Sequence, residues 1–158
     1  MNKIAILIIA FFCSSIIYSQ DIESLKNHDT IYLVLKHSIE REVQDFKTFT
    51  FSASGNNSLF EFNFREKADK HKIVNITTEL KHKPIKVCNK KNQFIEENKK
   101  NIIDISLIEK YGTNKLFNEI LQVNKLNKVF YVIDEKELKK RKIHLKKARV
   151  FAVGYIEM

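Results

Sequence analysis

A chain of 158 residues with a formal charge of +9 and 44% apolar residues has enough apolar material for one folded core. Three glycines and one proline exclude long flexible linkers and glycine-rich phosphate loops, and two cysteines exclude a disulfide-built scaffold.

The chain opens MNKIAILIIAFFCSSIIYSQ, which has the three parts of a secretory signal. Lys3 gives a positive start, residues 4–12 are an unbroken apolar run, and small polar residues follow. Ser19 suits the position before a cleaved bond, with a cut after Ser15 as the other option. Cys13, Ser14 and Ser15 interrupt the run before it reaches the roughly 20 apolar residues that cross a bilayer, and the bulk of Phe12 argues against a lipid on Cys13. The expectation is a cleaved signal over residues 1–19 and a single globular domain over 20–158, exported to the periplasm or secreted. No later stretch is long and apolar enough to span a membrane. With Cys13 removed, Cys88 has no internal partner for a disulfide and is expected to be buried and inert.

TIYLVLK (30–36) has the β-branched and aromatic content of a strand. SIEREVQDF (38–46) is ambiguous between a polar excursion and a helical turn. FTFSASGNNSLFEFNF (49–64) predicts a hairpin. Phe49, Phe51 and Ala53 alternate with polar residues on one arm, and Phe60, Phe62 and Phe64 on the other. Ser54-Gly55-Asn56-Asn57-Ser58 between them tolerates a tight turn. The phenylalanine stripe is the expected core side of a half-buried sheet; a platform for sugars or lipids is the other reading. KIVNITTELK (72–81) extends the sheet, with Pro84 ending or edging it. The sequon at Asn75 falls inside this strand, which argues against its use. IKVC (85–88) is a possible short strand, and the residues after it form a polar bridge.

In DISLIEKYGTNKLFNEILQ (104–122), Asp104 caps a first helix, Gly112 ends it with a left-handed residue, and Thr113 caps a second. The second helix presents Asn114, Lys115, Asn118, Glu119 and Gln122, too neutral a set for a DNA reader. KVFYVI (128–133) predicts a buried strand. Asp134 and Glu137 have capping-box spacing, and a final strand over 143–157 is apolar on both sides toward its end, as a central strand is. The fold class is therefore α+β: mainly an antiparallel sheet of five to six strands, with two or three short helices in the C-terminal half.

Charge is unevenly spread. Residues 20–64 carry four bases and seven acids, residues 65–100 eleven and five, and residues 136–149 eight and one. Lys139, Lys140, Arg141 and Lys142 are expected on a solvent-facing turn before the last strand, with Lys146, Lys147 and Arg149 close by, as a candidate anion-binding patch. A merely solvated face is the plain alternative. For an exported chain, the anions expected are lipid headgroups, acidic polysaccharides and acidic proteins, and nucleic acid is not an expected partner.

No catalytic, cofactor or metal motif is found. His28, His37, His71, His82 and His144 form no pair at metal spacing, and lysines around His82 and Cys88 oppose a cation there. The expected function is a non-enzymatic exported module that binds an anionic surface, glycan or acidic protein through a basic face. The alternative is a small extracytoplasmic hydrolase or thiol enzyme, using Cys88 with His82 or His144, or acids near His37.

Overall fold

A computed structural model describes residues 22–56, 59–79, 85–88, 91–122, 128–139 and 142–153. The expected export signal, His82, Pro84, Lys140, Arg141 and the end of the last predicted strand lie outside the described residues, as do the side chains of Cys88, Lys139 and Lys142.

The protein is α+β. Among the described residues there are nine strands: β1 (Thr30–Leu35), β2 (Glu42–Asp45), β3 (Phe49–Gly55), β4 (Phe60–Glu66), β5 (Ile73–Thr78), β6 (Ile85–Cys88), β7 (Ile102–Asp104), β8 (Val129–Asp134) and β9 (Lys142–Val153). The α-helices among the described residues are four: α1 (Ile22–Lys26), α2 (Lys91–Asn98), α3 (Ile105–Tyr111) and α4 (Thr113–Gln122). Eight strands form one sheet in the order β2-β3-β4-β5-β9-β8-β1-β7, and β6 pairs with the start of β9.

The predicted hairpin forms in the expected phase, with Phe51 opposite Phe64 and Ala53 opposite Phe62. Gly55 is needed at its end: a Cβ there would stand 2.4 Å from the Leu59 carbonyl oxygen. The stripe is core. Phe49, Phe51, Phe60, Phe62 and Phe64 are buried with Val74 and Ile76 of β5 and with Leu116, Phe117 and Ile120 of α4.

Several features depart from the expectation. The described residues hold four α-helices rather than two or three, and α1 precedes the first strand instead of lying in the C-terminal half. The sheet has more strands than five or six and is mixed, because β1 runs parallel to both β8 and β7. Hairpin signals report only strands that are neighbours in sequence, whereas TIYLVL and VFYVID meet across about a hundred residues. Both read as apolar runs because they lie inside the sheet. Their other face is covered as well, by a second small core in which Phe94 of α2 meets Val34, Ile133, Ile143 and Leu145. The residues expected as a polar bridge include α2, a polar helix whose single buried aromatic, Phe94, sets its ring edge-on to Tyr32 at 5.1 Å. One anchor in eight residues leaves no helical periodicity to see. The ambiguous segment 38–46 contains β2, at the sheet's edge.

Asp104 caps α3 as expected, accepting the Leu107 N–H at 2.9 Å. Gly112 has φ +81°, a conformation L side chains rarely adopt. Thr113 does not cap α4. Glu66, at the end of β4, accepts the Asn114 N–H at 3.0 Å and the Thr113 hydroxyl at 3.1 Å. A carboxylate at the positive end of α4 thus pins helix to sheet.

Lys128 does the converse at α1. Its ammonium donates to the carbonyls of Lys26 at 2.7 Å and His28 at 2.9 Å, beside the C-terminus of that helix. Lys26 in turn forms an ion pair with Glu119 of α4. Lys128→Met is expected to lower the unfolding free energy by about 1–3 kcal/mol, the usual worth of hydrogen bonds to a charged donor. A urea midpoint unchanged from the parent would show these carbonyls to be served equally well by water.

Candidate functional site

Strand alternation gives the long sheet two faces, and over β2 to β5 they differ sharply. The inner face carries the phenylalanines. The outer face carries a row that register makes continuous: Val43 faces Ser52, Ser52 faces Asn63, Asn63 faces Asn75, and Asn75 faces Phe151. At the usual strand spacing, five strands span roughly 19 Å. The two ends of the row are apolar and open, Val43 at 55% and Phe151 at 54% exposure. The middle is hydroxyl and amide. A neighbouring row runs from Thr50 through Arg65 to Ile73.

A shallow cleft of about 600 Å³ lies on this face, lined by Arg41, Val43, Thr50, Ser52, Asn63, Arg65, Lys70, Ile73 and Asn75. The described lining thus holds three cations and no carboxylate. The nearest acids of the same strand faces are Asp45, which pairs with Lys67 at 2.6 Å, and Glu61. Like charges converging without a counter-ion repel one another and raise the local concentration of anions. None of the nine lining residues was singled out as a site from sequence. Arg41, Arg65 and Lys70 are scattered over 30 positions, and only the sheet collects them.

The basic run is divided by the same alternation. Lys139 closes a 3₁₀ helix at Glu135–Lys139, and Lys142 begins β9. Lys147 and Arg149 share the outer-face phase of Phe151, and Arg149 forms an ion pair with Glu79 at 3.0 Å. Lys146 turns to the inner face, where its ammonium lies 4.1 Å from the centre of the Phe60 ring. Burial lowers its pKa, partly offset by Glu137 and Asp134.

Lys146 belongs to a cluster at the ends of β1 and β8. The His37 ring packs tilted against Phe60 at 4.0 Å between centres, and its Nδ1 lies 3.3 Å from Asp134. Glu137 accepts the His144 N–H at 2.8 Å and meets its Nδ1 at 3.0 Å. The expected capping box is therefore not made: Asp134 accepts from Lys136, and Glu137 is used to hold the start of β9. Burial first, then Lys146 and Lys136, hold the His37 pKa below its ordinary value, against the pull of Asp134 and Glu137. The fold thus favours neutral His37. The unfolded chain binds a proton there first as pH falls, so stability drops below about pH 6.5, the ordinary histidine pKa. His37→Gln is expected to flatten the fall in thermal midpoint between pH 7 and pH 5. An equally steep fall in that variant would place the titration elsewhere.

Register sets Cys88 opposite Lys142 and Lys86 opposite His144. Among the described residues there is no group of three or more His, Cys, Asp or Glu that could hold a metal, and no helix long and apolar enough to cross a membrane. No protein-family model matches the chain, and neither a curated protein nor a solved structure matches it.

Proposed function

We propose that this chain is an exported, non-enzymatic module that binds an anionic polysaccharide on the open face of its sheet. The observation that supports this reading is the row from Val43 to Phe151 beside Arg41, Arg65 and Lys70. Hydroxyl and amide groups at Ser52, Asn63 and Asn75 suit the many hydroxyls of a sugar chain. The exposed Phe151 ring offers an apolar face to a sugar ring, and the cations answer carboxylate or sulfate groups. An extended ligand also suits a flat face of this width better than a small compact one does. Lys147, on the same face, lengthens the positive track.

The test is binding of the mature chain to heparin oligosaccharides, to neutral dextran and to anionic phospholipid vesicles, in matched buffers. Heparin binding without dextran or vesicle binding is expected. Vesicle binding stronger than heparin binding would move the reading to a lipid surface, and equal binding of heparin and dextran would remove the role of charge.

A further inference from the structure

The sheet curls without closing. Val34 and Lys36 at the end of β1, Gln44 of β2 and Phe51 of β3 line one cleft, although β1 and β3 are separated in the sheet by β4, β5, β9 and β8. This seam has a volume of about 420 Å³ and is completed by Phe46, Asp104, Ile105, Ser106, Glu135 and Leu138. It lies where the three parallel strands β1, β7 and β8 end, at Lys36, Asp104 and Glu135. The C-terminal ends of parallel strands are where open sheets leave room for ligands.

The walls and rim define a ligand class. Val34, Phe46, Phe51, Ile105 and Leu138 form an apolar interior. On the rim, Lys36 forms an ion pair with Glu42 at 2.5 Å, and Gln44 donates to the same carboxylate at 2.9 Å, so the one lining cation is already answered. Lys36 also feels the Glu135 carboxylate, so its one charge is shared between Glu42 and Glu135, and the two carboxylates of the lining still outnumber it. Asp104 accepts from the Ser106 hydroxyl and the Leu107 N–H, both uncharged donors. Lys136 lies beyond the lining, exposed on the same 3₁₀ helix. An apolar slot edged by two carboxylates in a strongly basic protein selects against anions.

We propose that the seam is a second binding site, independent of the open face, and that it takes a small amphiphilic amine. The apolar body lies against Phe46 and Phe51, and the ammonium lies between Asp104 and Glu135. A volume of this size fits a drug-sized or smaller molecule.

The probes are phenethylamine, 2-phenylethanol and phenylacetate, titrated into the mature chain by calorimetry and amide NMR. Phenethylamine is expected to bind and to shift the amides of Lys36, Gln44, Ser106 and Glu135. The alcohol should bind about fivefold more weakly, the factor expected for one half-exposed charge pair, and phenylacetate weakest of all. Glu135→Gln should bring the amine down toward the alcohol. Ser106→Phe, on an exposed position of α3, should fill the mouth and abolish binding without touching the core. A variant with Gln at Arg41, Arg65 and Lys70 should bind the amine as the parent does. Equal affinity for amine and alcohol, no binding of the amine, or parental binding by Ser106→Phe would each overturn the proposal.

Discussion

Phe64→Ala is expected to cost about 3–5 kcal/mol of stability, the range for removing a fully buried phenylalanine. Phe64 is completely buried and touches three other rings: Phe51 at 4.8 Å, Phe49 at 5.7 Å and Phe117 at 6.2 Å. The last of these belongs to α4, so one side chain joins both arms of the hairpin to the helix that covers them. Close packing on every side prevents the neighbours from filling the space it leaves. Since a domain is stable by only about 5–15 kcal/mol, the loss is a large share of the whole. The matched control is Phe151→Ala on the opposite face of the same sheet. There an exposed ring lies in solvent, and a change within about 0.5 kcal/mol is expected. Urea unfolding of the two variants separates them, and similar midpoints for both would mean that the two faces have been confused.

The second large effect concerns the ligand. Replacing Arg41, Arg65 and Lys70 together with Gln should weaken heparin binding about tenfold at low salt. Each exposed cation facing an anionic group contributes roughly 0.2–1 kcal/mol, and 1.4 kcal/mol is a factor of ten. The parent's affinity should fall steeply as salt rises, since exposed charges are screened over about 10 Å at 0.1 M ionic strength. The variant should show a shallower dependence. Its stability should match or exceed that of the parent, because three like charges converging on one cleft have been removed. Undiminished affinity in a folded variant would separate binding from the cleft.

The elements that local pattern announces were readable: β1, the hairpin, β5, α3 with its Asp104 cap, α4 and β8. What local pattern cannot carry was not. Strand direction leaves no mark in a run such as TIYLVL, so the parallel pairing of β1 with β8 was hidden. The cap of α4 comes from Glu66, 48 residues before Asn114, and no neighbouring residue hints at it. The candidate site was less legible still. Sequence draws the eye to Lys139, Lys140, Arg141 and Lys142 because their charges are adjacent, whereas along β9 adjacent residues point to opposite faces. Lys146 therefore faces Phe60 while Lys147 and Arg149 face out. The opposite error hid the open face. Arg41 and Arg65 look like isolated charges in an acidic third and at a strand end, until register sets β2 beside β3 and β3 beside β4. The alternation of FTFSASG and FEFNFR did contain a signal: the polar residues between the phenylalanines, Thr50, Ser52 and Asn63, are the floor of the cleft.

The most direct measurement is a residue-by-residue map of where an anionic glycan lands. Amide NMR of a chain spanning residues 20–158, titrated with a short heparin oligosaccharide, supplies it. The largest shifts are expected at Val43, Thr50, Ser52, Asn63, Arg65, Asn75 and Phe151, across five neighbouring strands. Shifts confined to residues 136–147, with the row from Val43 to Phe151 unmoved, would contradict the account and place the anion on the basic run instead.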